Sequence, residues 1–226
     1  MMYIVYEKRE FMESLKMMPA RVRIAAILKK AIYAGEYKSG EELSLTGIAE
    51  QLGISRTPVR EAFQSLEAEG LITLRMNKGA IVNNIDRKFI RDHFEMRILL
   101  EAEAARLAAE NGMDTERLLR QLADMQAGAA EGIDPVWYTE LNQELHTGIW
   151  QAADNTRLQQ YLMELWNGPS TGLTGQEKQQ HYRSSTLEHI RILEAVRDRD
   201  SKKAEAEMRR HITRSRDNIL KYYPEE

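Results

Sequence analysis

The chain has five histidines, His93, His146, His181, His189 and His211, all in its C-terminal part. Imidazole is the commonest protein metal ligand, so their spacing is the first place to look for chemistry. Asn142 and His146 are four residues apart in a segment of helical periodicity, which projects both side chains from one face. His189 and His211 lie on either side of a break at Asp198 to Ser201. If that break turns an antiparallel helical hairpin, each histidine sits about three turns from the bend and the two are level. Three imidazoles and the Asn142 amide oxygen can then converge on a divalent ion, as in zinc, nickel or manganese sites, with positions left for water or a ligand. The competing reading of any single residue here is plain: a helical histidine in the core or on the surface, or an exposed amide.

A second set of chemistry-bearing residues lies near the N-terminus. Arg56 and Arg60 are four apart with Thr57 between them, in the first turns of a segment that Ser55 can cap. Guanidinium groups there can bind guanine O6 and N7, and Ser55, Thr57 and the helix-start amides can hold phosphates. Val59, Ala62, Phe63 and Leu66 form the opposite, core-facing stripe.

The elements that must position these residues follow from periodicity. Apolar residues recur at three- and four-residue steps from Arg21 to Ala34, with Arg23, Lys29 and Lys30 mainly opposite, and Gly35 stops that helix. A short helix fits Leu45 to Leu52, capped by Ser44 and ended by Gly53. The Arg-bearing helix tolerates Pro58 because it lies in the first turn, and Glu69-Gly70 closes it. Leu71–Arg75 and Ala80–Asn83 flank a turn sequence and read as a small hairpin. Residues 86–222 read as about six helices, with breaks at Asn111-Gly112, Gly132 to Pro135, Asp154-Asn155, Asn167 to Gly175, and Asp198 to Ser201. The expected fold is mainly α: a winged helix-turn-helix in residues 1–84, which include an N-terminal extension, and an all-helical bundle in 85–226.

Composition bounds the function. The 226 residues carry 32 basic and 35 acidic side chains, a formal charge of −3, so any nucleic-acid surface must be local. Residues 1–84 hold 12 basic and 10 acidic side chains (+2), and 85–226 hold 20 and 25 (−5). The absence of cysteine excludes disulfides, thiolate-bound zinc, iron–sulfur clusters and thiol catalysis, and fits a reducing cytoplasm. No run of 18 apolar residues occurs, and charges interrupt the N-terminal hydrophobics, so neither a membrane span nor a signal peptide is expected.

The order helix, Gly turn, helix, wing resembles the GntR-type bacterial transcription regulators. The carrying segments are Leu43–Leu45, Gly53 to Ala62, Glu69–Ile72 and Asn77–Val82. The resemblance implies operator binding as a dimer, with Arg56, Thr57, Arg60 and the wing Gly79, beside Lys78, at DNA-contact positions. Thr46 departs from the charged residue that relatives often carry there. Glu95–Glu101, Leu145-His146, Glu188–Leu193 and Met208–His211 look like the FCD-type helical effector domain of the FadR subgroup. In that domain an Asp or Asn four residues before a His, with two later histidines, commonly binds a metal below a small-molecule cavity. Asn142, His146, His189 and His211 inherit this role, Asn142 being a weaker ligand than the more usual Asp. Arg97 is implied to face the cavity and take a carboxylate, its alternative being an i,i+4 pair with Glu101 on a solvated face. His93 and His181 match no ligand position and read as surface residues. Trp137, Tyr138, Trp150 and Trp166 line a pocket or are plain core.

These readings combine into a homodimeric, cytoplasmic transcription regulator, a repressor that binds double-stranded DNA and answers to a small carboxylate metabolite, and not an enzyme. The alternatives are a metal-dependent hydrolase built on the helical unit, or a DNA-binding dimer that senses nothing. Hydrolysis would also want a general base beside the metal. Glu144 and Glu188 adjoin candidate ligands in sequence, but helix neighbours point about 100° apart, so neither is well placed.

Overall fold

The computed structural model describes residues 18–76, 79–166 and 175–223. Lys78 and most of the expected break from Asn167 to Gly175 lie outside the described residues. Helix α1 (Ala20–Tyr33) is followed by β1 (Glu42–Leu43), α2 (Leu45–Leu52) and α3 (Arg56–Ala68), then β2 (Ile72–Arg75) and β3 (Gly79–Val82). Ser44 caps α2 by accepting from the Gly47 amide at 3.2 Å, and Gly53 ends it in the left-handed region at φ 69°, where other residues pay a steric cost. That single turn sets α3 across α2. Ser55 occupies the N-cap position of α3, but its hydroxyl makes no capping bond, contrary to the sequence expectation.

The wing is a three-stranded sheet of order β1-β3-β2, not the expected two-stranded hairpin. β2 and β3 are antiparallel, with Ile72 opposite Val82 and Arg75 opposite Gly79, and β1 adds Glu42 and Leu43 against Ile81 and Ala80. Two residues carry no period-2 pattern, so β1 left no trace in the sequence.

Beyond residue 84 the described residues are helical: α4 (Arg87–Asn111), α5 (Glu116–Ala127), a 3-10 turn (Gly128–Ala130), α6 (Pro135–Ala152), α7 (Thr156–Leu165), α8 (Gly175–Arg197) and α9 (Ser201–Leu220). Asp86, Asp134, Asn155 and Asp200 each cap a helix start by accepting from the amide three residues on, which fixes where α4, α6, α7 and α9 begin. α9 lies along α4 and packs on α8, and α6 and α8 also pack on α4.

The hydrophobic core runs without interruption from the winged part into the bundle. Helix α1 explains the continuity, because it is buried nearly all round, packing on α3 and also meeting the bundle. Lys29, expected on its polar side, is 1 % exposed. Tyr33 lies edge-on to His93 of α4, and the Tyr223 hydroxyl donates to the Tyr33 carbonyl at 3.1 Å. No helix among the described residues is long and apolar enough to cross a membrane.

Candidate DNA-reading surface and metal centre

On α3 the amphipathic pattern sorts side chains as the sequence indicated. Val59, Ala62, Phe63 and Leu66 are wholly buried, while Ser55, Arg56, Thr57 and Arg60 are exposed together at the helix start. Gly79 has a structural duty of its own. It is buried at φ 96°, and a Cβ there would collide with the Leu43 carbonyl oxygen and stand 3.1 Å from its carbon, so only glycine lets β3 pass this close to β1. At the wing's turn, Met76 is 91 % exposed.

The bundle brings three of the four proposed ligands together. His146 from α6, His189 from α8 and His211 from α9 are buried, and one ring nitrogen of each lies within 4.8 Å of the others. His189 and His211 are level across the α8–α9 hairpin, with their Nε2 atoms 3.3 Å apart. Asn142 is buried one turn before His146 on α6.

Two carboxylates absent from the sequence reading as partners orient these rings. Glu101, fully buried on α4, accepts from His146 Nδ1 at 3.1 Å, from Trp150 Nε1 at 2.8 Å and from Arg97 Nη2 at 2.9 Å. Glu188 faces His211 Nδ1 at 2.8 Å and is itself held by Arg214 through both oxygens, at 2.6 and 2.7 Å. Glu188 is therefore an orienting partner of a histidine one hairpin away, although it adjoins His189 in sequence. Glu144 instead turns outward to Arg117.

The Nδ1 atoms of His146 and His211 each face a carboxylate, which leaves the Nε2 of each ring outside that bond. Burial, with the neighbouring histidines adding to it, pushes the His189 ring well below its ordinary range. Burial and then the His146 and Arg214 charges do the same for His211. Burial pushes Glu101 up, but His146, Arg97 and Trp150 outweigh it and hold its carboxyl below the usual carboxylate range.

The donor set fits a divalent ion. Two Nε2 lone pairs facing at 3.3 Å repel unless a cation or a shared proton lies between them. Two nitrogens bound to one tetrahedral zinc at about 2.0–2.1 Å would stand about 3.4 Å apart, close to the 3.3 Å between His189 and His211. His189 Nδ1 is buried without a hydrogen-bond partner among the described residues, so nothing there fixes its tautomer against metal binding.

Arg97 forms the pair with Glu101, but buried, not on a solvated face: it is 4 % exposed, with its guanidinium 5.5 Å from the Phe94 ring and 5.7 Å from Trp166. The surface reading of the remaining histidines fails. His93 is buried against Tyr33 and Phe94. His181 is buried between Tyr138 and Arg214, its Nδ1 accepting from Arg214 at 3.1 Å. Burial and then Arg214 bring its pKa down to about 3. Tyr138, Trp150 and Trp166 are core residues, Trp166 lying edge-on to His146 at 5.3 Å.

A winged helix-turn-helix joined to an all-helical unit with a histidine centre defines the class of sensor-bearing transcription regulators. The family comparisons are specific: the model of bacterial regulatory proteins of the gntR family matches residues 20–82, and that of the FCD domain matches 92–214. The chain belongs to the GntR family of transcriptional regulators, with an FCD effector domain. It is 28 % identical over 189 residues to the HTH-type transcriptional regulator YdhC of Bacillus subtilis (strain 168), covering 82 % of this chain and 84 % of that protein. It is 30 % identical over 149 residues to the gluconate operon transcriptional repressor of the same organism, 65 % of this chain and 58 % of the repressor. Among solved structures, E. coli McbR/YncC shares the fold at a TM-score of 0.69 and 21 % identity, over 92 % of this chain and 100 % of that one. These families and relatives are transcriptional regulators, which sets the hydrolase alternative aside.

Proposed function

We propose that this regulator is a homodimeric repressor whose operator affinity is set by a small carboxylate metabolite bound beside a divalent ion in the helical unit. In this reading residues 1–84 are the DNA reader and 85–226 the sensor and dimerisation unit. The observation that carries it is the coexistence, in one chain, of exposed Arg56, Thr57 and Arg60 at the start of α3 with the buried His146–His189–His211 cluster. Arg56 and Arg60 enter the major groove and read base edges, Ser55 and Thr57 hold phosphates, and the wing, through Lys78 and the Gly79 backbone, meets the adjoining backbone.

His146, His189, His211 and Asn142 would hold the ion, zinc, nickel or manganese, which when bound offers a Lewis-acidic position to a ligand oxygen. Glu101 and Glu188 keep the ring nitrogens aimed inward. Arg97, one residue layer away, anchors the metabolite's carboxylate by sharing its fork with Glu101. The gluconate operon repressor, named for a carboxylate sugar acid, supports this ligand class.

The test is a titration of duplex DNA selected from random sequence by the native protein. Arg60→Ala should raise Kd by about 5- to 150-fold, a loss of about 1–3 kcal/mol for one good base contact, with unchanged helical content. Unchanged affinity would remove Arg60 from the interface.

A further inference from the structure

Lys29 is the least expected charge in the molecule. It sits on α1, 1 % exposed, and no solvent compensates its ammonium. Its partners come from two distant places. On one side Nζ donates to the carbonyl of Glu164 and stands 3.4 Å from that of Trp166, where α7 ends. These are among the carbonyls that a helix terminus leaves without internal partners, at the negative end of its dipole. On the other side Nζ pairs with Glu69 at 2.6 Å. Glu69 is the C-cap of α3, the helix that carries Arg56 and Arg60.

The α7 end is also tied to the metal centre. The Trp166 ring lies edge-on to His146 at 5.3 Å and to Trp150 at 5.5 Å, and Trp150 donates to the Glu101 carboxylate that orients His146. Beside Lys29, His93 packs on Tyr33 of α1. One ammonium thus joins two elements that the two functions require: the end of the DNA-reading helix and the end of α7, whose Trp166 ring meets His146.

We propose that Lys29 is a positioning residue that transmits the state of the metal centre to the DNA-reading helix, by clamping the carbonyls at the end of α7 to Glu69 at the end of α3. The inference rests on the function proposed above and adds the route of regulation. A buried ammonium cannot lose its acceptors without a large desolvation cost. A shift of Trp166, forced by a change at His146, must therefore either strand Lys29 or carry Lys29 and Glu69 with it. The second outcome moves α3 relative to the bundle, and with it the spacing of two readers in a dimer.

The test compares the native protein with Lys29→Met, which keeps the chain length and apolar stem but removes the charge, and with Glu69→Gln, a milder change at a mostly buried position. Each is stripped with chelator, reloaded with zinc, checked by circular dichroism and metal analysis, and titrated with the selected operator duplex in both states. In the native protein zinc should change the operator Kd by about fivefold or more, the ordinary scale of allosteric coupling. In both variants zinc stoichiometry and operator binding should persist while that ratio falls to within about twofold. Should Lys29→Met fail to fold, Glu69→Gln decides alone. Either folded variant keeping the native ratio, or a native protein that binds zinc and operator with no coupling, overturns the inference and leaves the functional reading intact. Failure of the native protein to bind zinc or operator at all overturns that reading, and the inference with it.

Discussion

Glu188→Gln tests whether the histidine centre is built to hold a metal. In the folded chain the Glu188 carboxylate faces His211 Nδ1 at 2.8 Å and is braced by Arg214 through both oxygens. The amide keeps the shape but loses the charge, and one of its two termini is now a donor. Its oxygen can still accept from His211, but it neither raises the basicity of the ring nor balances Arg214, which retains Ser185 and His181 as partners. Losing such an outer carboxylate weakens metal affinity about 10–100-fold, or about 1.4–2.7 kcal/mol at 1.36 kcal/mol per decade. Competition between the protein and a zinc chelator, followed by absorbance of the chelator, measures this directly. Glu144→Gln is the control. It lies two residues from His146, yet its carboxylate pairs outward with Arg117, so zinc affinity should stay within about twofold of native. Unchanged affinity in Glu188→Gln, or an equal loss in Glu144→Gln, would refute the assignment of Glu188 as the partner that orients His211.

Further outcomes follow from other parts of the fold. Gly79→Ala puts a Cβ into the Leu43 carbonyl at φ 96° and should cost about 2 kcal/mol or more in urea unfolding, because β1 must leave β3; native-like stability would mean the wing can rearrange freely. His181→Asn should flatten the acid limb of the stability curve. The folded pKa, about 3, lies below the unfolded value, so between pH 3 and 6.5 the unfolded chain binds a proton that the folded one excludes, and stability falls as pH falls. Between pH 7 and 5 native protein should lose about 2 kcal/mol more than the variant, whose amide oxygen still accepts from Arg214, and parallel curves would contradict the burial argument.

Much of this was legible before any coordinates. The 3.6 period, the Gly53 turn and the cap at Ser44 located helices within a residue or two, because these signals act locally. The pairing of His189 with His211 was legible because a hairpin converts sequence distance into level positions. What escaped depends on chain segments far apart. Lys29 fell on the polar side of α1 and is buried because Glu69 and the end of α7 supply its counter-charges. Glu101 and Glu188 orient rings on other helices, and His93 and His181 are covered by α1 and by Tyr138 and Arg214. No local pattern encodes such partners, and β1 is too short to show one.

The proposed metal centre of this GntR-family regulator rests on its three buried histidines. Anomalous diffraction from zinc-loaded crystals, recorded at the zinc edge, tests it most directly. One strong peak per chain is expected, within about 2.0–2.1 Å of a ring nitrogen of each of His146, His189 and His211. A peak elsewhere, with these three rings closed on one another and no ion between them, would contradict it.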